Sequence, residues 1–115
     1  MSARNRNTPI KEQIIYASIF AALGDKTRLS LIAKLRREQP CSISQLTENS
    51  KLTRQAITKH LRVLEFVGIV CRVRKGRESL FEYKSKPIEK VKTYLDLVSE
   101  QWDQTLSRLK SFVEE

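Results

Sequence analysis

Four polar side chains follow one side of the segment RQAITKHLRVLEFV, residues 54–67. They are Gln55, Thr58, Lys59 and Arg62, and each can donate a hydrogen bond while none carries a negative charge. Residues spaced three and four apart lie on one face of a helix. In a major groove, glutamine, arginine and lysine find hydrogen-bond partners on adenine and guanine. The stripe therefore predicts a helix that enters a major groove and contacts base edges.

Other kinds of chemistry have few candidate residues. The chain contains two cysteines, Cys41 and Cys71, and one histidine, His60. A zinc or thiophilic metal site needs three or four such ligands, so neither a metal site nor a cofactor is expected. The sequence has no glycine-rich phosphate loop and no recognisable nucleophile with its base, so an enzyme is not expected. The cysteines lack CxxC spacing, which indicates packed thiols in a reducing compartment.

Positive charge is concentrated around the same segment. Residues 51–77 hold eight basic side chains against one acid, Glu65, in a chain of 115 residues with a formal net charge of +9. A face that only keeps a protein soluble mixes both signs, so a run of one sign indicates a nucleic-acid partner. No apolar run is long enough to span a bilayer, so a membrane is not an expected partner.

The helix that carries the polar stripe has recognisable ends. Its inner face, Ile57, Leu61 and Leu64, has the spacing of a buried stripe. Thr53 is the expected N-cap, and Gly68, which can adopt a left-handed conformation, is expected just after the helix. The helix is therefore predicted to run from about residue 54 to residue 67.

Two further helices are expected upstream. In DKTRLSLIAKLRRE, Asp25 is the expected N-cap, and three residues are expected to face inward: Leu29, Ile32 and Leu35. In CSISQLTENS, Ser42 and Gln45 have the spacing of a capping box, which predicts a short helix. Few residues separate this short helix from the basic one, so residues 42–67 are predicted to form a helix-turn-helix.

Residues 69–84, IVCRVRKGRESLFEYK, change to a period of two and predict a hairpin with Gly76 in its turn. A helix-turn-helix followed by a basic hairpin is a winged helix, and the wing is expected to contact phosphates or the neighbouring minor groove. The residues expected to contact DNA, from helix and wing together, are Thr53, Arg54, Gln55, Thr58, Lys59, His60, Arg62, Arg72, Arg74, Lys75 and Arg77.

The chain resembles the ArsR-like winged-helix transcriptional repressors of bacteria. The resemblance is carried by FAALGDKTRLSLIAKL, ISQLTENSKLTRQAITKHLRVLEFVGIV and RVRKGRESLFEYK, within residues 20–84. It implies a cytoplasmic, nucleoid-associated homodimer, bacterial or archaeal, that binds an inverted repeat in double-stranded DNA and blocks transcription. It places the DNA-contacting helix at residues 53–64 and the wing at residues 72–81. The Cys-x-Cys of metal-sensing relatives is matched by Ser42, Ile43 and Ser44, which implies the metal-independent branch; any small-molecule or protein effector is unknown.

Two segments are expected to form the dimer, residues 9–23 and residues 87–114. The second has apolar residues at seven-residue intervals, and as a helix it is longer than so small a domain can cover. The first has one stripe for its own core, Tyr16, Phe20 and Leu23, and another for a partner chain. The expected interface residues are Ile10, Ile14, Ala17 and Ala21 on the first helix and Ile88, Val91, Leu95, Val98, Trp102, Leu106 and Leu109 on the last.

The sequence thus predicts a single domain, residues 1–115, that is mainly α with a small β-hairpin, a winged helix-turn-helix with a long C-terminal dimerisation helix. Two alternatives remain open. One is a redox-responsive repressor that uses Cys41 and Cys71, which requires the two thiols to approach to disulfide distance. The other is a winged-helix module for protein contact, which requires an apolar outer face on the basic helix.

Overall fold

The computed structural model describes residues 9–114, so the first eight residues and Glu115 of the expected domain lie outside the described residues. The described chain forms α1 (Ile10–Leu23), α2 (Lys26–Glu38), β1 (Cys41–Ser42), α3 (Ile43–Thr47), α4 (Arg54–Phe66), β2 (Val70–Lys75), β3 (Glu78–Tyr83) and α5 (Lys86–Glu114). This order confirms the predicted winged helix-turn-helix with a long last helix. Between residues 9 and 114, no helix is long and apolar enough to cross a membrane.

Local hydrogen bonds start each of the three central helices. Asp25 accepts from the backbone N–H of Arg28 at 3.0 Å, and this bond holds the pKa of the carboxyl below its usual value. Ser42 and Gln45 form the predicted capping box at α3, with distances of 3.1 and 2.8 Å. Thr53 accepts from the backbone N–H of Ala56 at 3.1 Å, which confirms it as the N-cap of α4.

The end of α4 is a Schellman motif. Gly68 has a φ of 83°, and its N–H donates to the carbonyl of Glu65 at 3.0 Å. The N–H of Ile69 donates to the carbonyl of Leu64, also at 3.0 Å. These are the two bonds that such an ending requires, and a left-handed residue is what allows them. The sharp stop directs the chain from α4 into the wing.

The sheet has three antiparallel strands in the order β1-β3-β2. Strands β2 and β3 form the predicted hairpin, and Gly76 in its turn has a φ of 62°. Strand β1 was not predicted. It has only two residues, and they pair with Phe81 and Leu80 of β3. A strand this short has no periodicity of its own and exists because β3 offers it hydrogen bonds.

The core lies between α2, α4 and the sheet, where Leu35, Leu61, Leu64 and Phe81 are at most 1% exposed. The prediction that Leu29 faces inward was wrong, since its side chain is 51% exposed. It lies about 120° around α2 from Leu35, and Leu31 takes the inward position instead.

Helix α1 packs on the first part of α5 with one of its two faces. The rings of Tyr16 and Tyr94 stack with centroids 4.5 Å apart. The expected interface role of Val91 is corrected here: it is 3% exposed and belongs to the protomer's own core. It faces inward because α1 covers this turn of α5. The other α1 stripe remains exposed, including Ile10 at 70% and Ile14 at 62%.

Candidate nucleic-acid interface

The outer face of α4 is an open surface of polar side chains. Arg54, Gln55, Thr58, Lys59 and Arg62 line one shallow depression along the helix. Of these five, all except Thr58 are exposed, and none is acidic. The hydroxyl of Thr58 donates to the carbonyl of Arg54 at 2.7 Å, so it presents a methyl group and an acceptor outward. The face can therefore hydrogen-bond base edges and contact a thymine methyl.

The start of α4 is fixed to the preceding helix. One guanidinium nitrogen of Arg54 donates to the hydroxyl of Ser44 on α3 at 2.8 Å. Thr53 uses its hydroxyl oxygen in the N-cap, which leaves its proton free for a phosphate oxygen. Ser44 was not among the predicted contacts, because a hydrogen bond over ten residues has no signal in the spacing of one helix.

His60 lies apart from this face. Its Nδ1 is 3.2 Å from a guanidinium nitrogen of Arg28, which can only donate, so Nδ1 accepts. Arg28 also donates to the carbonyls of Ala21 and Ala22 at the end of α1. Through Arg28, His60 connects α4 to α2 and to the end of α1, so it is not one of the proposed DNA contacts. Its position, three residues after Ile57, already placed it at the edge of the buried stripe.

The wing divides into a basic tip and a structural base. Arg74, Lys75 and Arg77 are exposed around the turn at Gly76. Arg72, predicted to contact DNA, instead lies 3.2 Å from the Glu65 carboxylate on α4, with its guanidinium carbon 5.3 Å from the Phe81 ring centroid. This ion pair offsets the charge of the one acid of residues 51–77 and connects the base of the wing to α4. Within the wing, the basic side chains of the tip are the ones left for phosphates.

The two thiols are held apart by the sheet. Cys41 is on β1 and Cys71 on β2, with β3 between them. Two strand spacings put their Cα atoms about 10 Å apart, whereas a disulfide needs less than about 7 Å. A bond within one chain would therefore require the backbone to move. Among residues 9–114 no three His, Cys, Asp or Glu side chains are grouped to hold a metal ion.

The two cysteines are expected to differ sharply in alkylation. Cys41 is 1% exposed, its thiol donates to the carbonyl of Glu38 at 3.0 Å, and burial raises its pKa. Cys71 is partly exposed. Because the thiolate is the reactive form, iodoacetamide at neutral pH should label Cys71 in the folded protein and label Cys41 only after denaturation. Peptide mass spectrometry measures this, and equal labelling of both in the folded protein would revive the redox alternative.

Two sequence comparisons agree with this geometry. Residues 25–71, which include α2, the helix-turn-helix and the start of the wing, match the family model described as "Bacterial regulatory protein, arsR family". The chain is also 36% identical over 78 residues to the uncharacterised HTH-type transcriptional regulator YuzN of Bacillus subtilis. That match covers 63% of this chain and 85% of YuzN.

Solved structures give the same fold. An ArsR-like transcriptional regulator from Rhodococcus sp. RHA1 superimposes with a TM-score of 0.81 and 33% identity, covering 90% of this chain and 96% of that one. A second match is the homodimeric winged helix-turn-helix DNA-binding domain Mb0332 of Mycobacterium bovis. Its TM-score is 0.61 with 15% identity, over 84% of this chain and 87% of that one.

Proposed function

The chain belongs to the arsR family of bacterial regulatory proteins, a family of transcriptional regulators, and we propose that it represses transcription by binding an inverted repeat in double-stranded DNA as a homodimer. The observation that carries the proposal is the open face of α4, where Gln55, Lys59 and Arg62 are exposed with no acid among them. Glu65 is paired with Arg72, and the wing tip adds three further exposed basic residues, Arg74, Lys75 and Arg77. Such a surface suits double-stranded DNA, a polyanion whose base edges offer hydrogen-bond donors and acceptors in the major groove.

The two parts of the interface have different roles in this proposal. Side chains of α4 contact base edges, which carry sequence information, and Gln55 suits an adenine while Arg62 suits a guanine. Arg74, Lys75 and Arg77 contact phosphates or the adjacent minor groove, which adds affinity and register. The Arg72–Glu65 pair connects the base of the wing to α4, and the Arg54–Ser44 bond connects α4 to α3.

Dimerisation follows from the apolar faces that the single chain leaves open. Ile10 and Ile14 on α1 and Leu95 and Trp102 on α5 are between 48% and 70% exposed. Large exposed apolar patches mark contact sites, and a symmetric pairing covers both helices at once. Two-fold symmetry then puts the two α4 helices in successive major grooves, about 34 Å apart. Bound at an operator that overlaps a promoter, the dimer would block transcription. The proposed site of action is the cytoplasm, because the bacterial chromosome lies there.

A winged-helix module for protein contact is the weaker alternative. It requires an apolar outer face on α4, and the five residues that line this face are polar or charged. The proposal is tested by selecting DNA from a random duplex library with the purified protein. We expect an inverted repeat whose half-site centres are separated by about one helical turn or a multiple of it. Recovery of no enriched sequence at any salt concentration would contradict it.

Substitutions should separate sequence choice from general affinity. Gln55→Ala is expected to weaken binding to the selected site by about 1–3 kcal/mol and to relax preference at particular base pairs. Lys75→Ala or Arg77→Ala should weaken binding to all duplexes alike. Gln104→Ala on α5, also an exposed glutamine, is the matched control and should leave binding unchanged. Binding is measured by fluorescence anisotropy on the selected and scrambled duplexes; altered preference in the wing variants alone would reverse the assigned roles.

A further inference from the structure

A second concave surface, apart from the DNA-binding face, lies where α1, the end of α4 and the start of α5 meet. It consists of two adjoining depressions of about 460 and 330 Å³. Both depressions are lined by three aliphatic residues, Ile15, Ile19 and Val67, and we call the whole surface the Val67 groove. The larger depression alone has the volume of a small-molecule site, which is about 300–1,000 Å³.

The groove is aliphatic along its floor and basic at one end. Pro87 adds to the floor of the larger depression, and its rim carries three exposed lysines, Lys84, Lys86 and Lys90. Among the lining residues that the structure describes there, none is acidic or aromatic. The smaller depression has no lysine among its described lining residues, so the positive charge lies at one end only. The groove therefore fits a ligand that is aliphatic along its length and anionic at one end.

Two of these lysines are available to an anion. Within residues 9–114, neither Lys86 nor Lys90 forms an ion pair, whereas Lys84 is paired with an acid of its own strand and loop. Glu89 lies on the same turn, but its carboxylate accepts a hydrogen bond from the hydroxyl of Ser85 at 2.8 Å. Lys86 and Lys90 are four residues apart in α5, a spacing at which like charges on a helix repel. A carboxylate placed between the two ammonium groups relieves that repulsion and accepts charge-assisted hydrogen bonds.

We propose that the Val67 groove binds a free, unbranched aliphatic carboxylate, a ligand in addition to the DNA proposed above. The carboxylate lies between Lys86 and Lys90, and the chain extends over Ile15 and Val67 into the smaller depression. Of the residues expected in the dimer interface, Ile14 lines only the smaller depression and none lines the larger one. The lysine end of the groove therefore remains open in the proposed homodimer.

The groove adjoins the end of the helix that contacts DNA. Val67 directly follows α4, and its N–H donates to the carbonyl of Val63 at 3.4 Å. A Cβ added at Gly68 would lie 3.5 Å from the Cγ of Pro87, so the start of α5 packs closely on this end. A bound chain contacts both helices at this point, so we expect it to change the affinity for DNA. That effect rests on the proposed DNA binding, whereas the ligand site itself does not.

Two other occupants are considered. The N-terminal residues 1–8 carry Arg4 and Arg6 and no acid, so their charge does not complement a lysine rim. A second copy of the chain is the other possible occupant. It is distinguished from a small ligand by the dependence of binding on protein concentration.

Titration of the purified protein with dodecanoate, below its micelle concentration, tests the site directly. Isothermal titration calorimetry is expected to show one dodecanoate per protomer. Dodecyltrimethylammonium has the same chain with a positive head group, and butanoate has the carboxylate with a short chain. Each should bind at least about tenfold more weakly, because each lacks one of the two features that the groove recognises. Equal binding of the cation would show that the lysines play no part and would overturn the proposal.

Variants at the two parts of the groove provide the second test. Lys86→Gln with Lys90→Gln should weaken dodecanoate binding at least about tenfold, because hydrogen bonds to charged groups are lost. Ile15→Trp should weaken it similarly by filling the floor; Ile15 is 44% exposed, so the core is not disturbed. The matched control is Lys92→Gln with Lys110→Gln, which removes the same charge from exposed positions of α5 outside the groove and should bind as the wild type does. Circular dichroism checks that each variant is folded.

Two measurements locate the ligand. Nuclear Overhauser effects between the terminal methyl group of dodecanoate and the methyl groups of Ile15 and Val67 are expected. Dodecanoate that binds the wild type, the lysine variant and the control equally lies on another apolar face, which would overturn the proposal. Binding that is lost when the protein concentration is raised above the dimer dissociation constant would mean that a second copy covers the groove, and would also overturn it.

Operator affinity with and without dodecanoate tests the effect on α4. We expect a change of at least about fivefold for the wild type and none for the Lys86→Gln, Lys90→Gln variant. An unchanged wild-type affinity with the ligand bound would refute the effect on DNA binding. A protein that binds dodecanoate but enriches no DNA sequence would contradict the proposed function and support the ligand site, so the two failures are distinguishable.

Discussion

Raising the salt concentration from about 50 to about 200 mM is expected to lower the affinity of the protein for its DNA site by about 10³–10⁵-fold. The reason is the release of counterions that the phosphates hold until lysine and arginine replace them. Arg74, Lys75 and Arg77 at the wing tip and Lys59 on α4 are all exposed on the proposed DNA-binding surface. Three or four phosphate contacts from each protomer give about six to eight in a dimer.

The measurement is a series of anisotropy titrations at increasing salt, plotted as the logarithm of the association constant against the logarithm of salt concentration. Lys75→Ala should reduce the slope by about one for each phosphate that the protein no longer neutralises, so by about two in a homodimer. Lys110→Ala on α5 removes the same charge away from the DNA-binding surface and should leave the slope unchanged. A flat dependence for the wild type would show that phosphate contacts do not dominate binding.

Trp102→Glu is expected to convert the protein to a folded monomer that binds the operator hundreds-fold or more weakly. Trp102 is 62% exposed in the single chain, so the substitution leaves the protomer core intact. In the dimer, however, it would bury a carboxylate without a partner, which is costly. In the dimer, binding of one protomer to its half-site holds the other protomer at high effective concentration near the second half-site. A monomer lacks this advantage and has only the affinity of a single half-site.

Mass in solution and operator affinity should be measured on the same samples. Gln104→Glu adds the same charge two residues away on the opposite side of α5, where no apolar stripe lies, and should remain dimeric. A monomeric Trp102→Glu protein that binds as tightly as the wild type would show that binding does not need the dimer. A Trp102→Glu protein that stays dimeric would show that this stretch of α5 has another role.

Much of the DNA-binding region was accessible from the sequence because its determinants are local. Thr53 and the Ser42–Gln45 capping box bond to groups three residues away, and Gly68 allows a backbone turn that few other residues adopt. The spacing of Ile57, Leu61 and Leu64 indicates which face of α4 is buried, and the outer stripe follows by exclusion. The basic wing tip was accessible for the same reason, because the period of two on either side of Gly76 predicts a hairpin from neighbouring residues alone.

Contacts between distant segments decided the rest. His60 and Arg72 are polar residues of the kind that contacts DNA. In the folded chain, however, His60 contacts Arg28 on α2 and Arg72 pairs with Glu65 on α4. Val91 continues the apolar repeat of α5, and only the position of α1 shows that it faces the protomer's own core. Strand β1 exists because β3 supplies its partners.

The sequence by itself thus determined the helix caps, the faces of α4, the wing and the winged-helix class, since each depends on residues within a few positions of one another. The tertiary structure decided which basic and apolar side chains remain free for a partner. It also placed Val67, Phe66 and Lys90 around one groove, although α4 and α5 are separated by the whole wing. Whether a side chain is available depends on what the packed chain puts beside it, and the spacing along one helix does not contain that information.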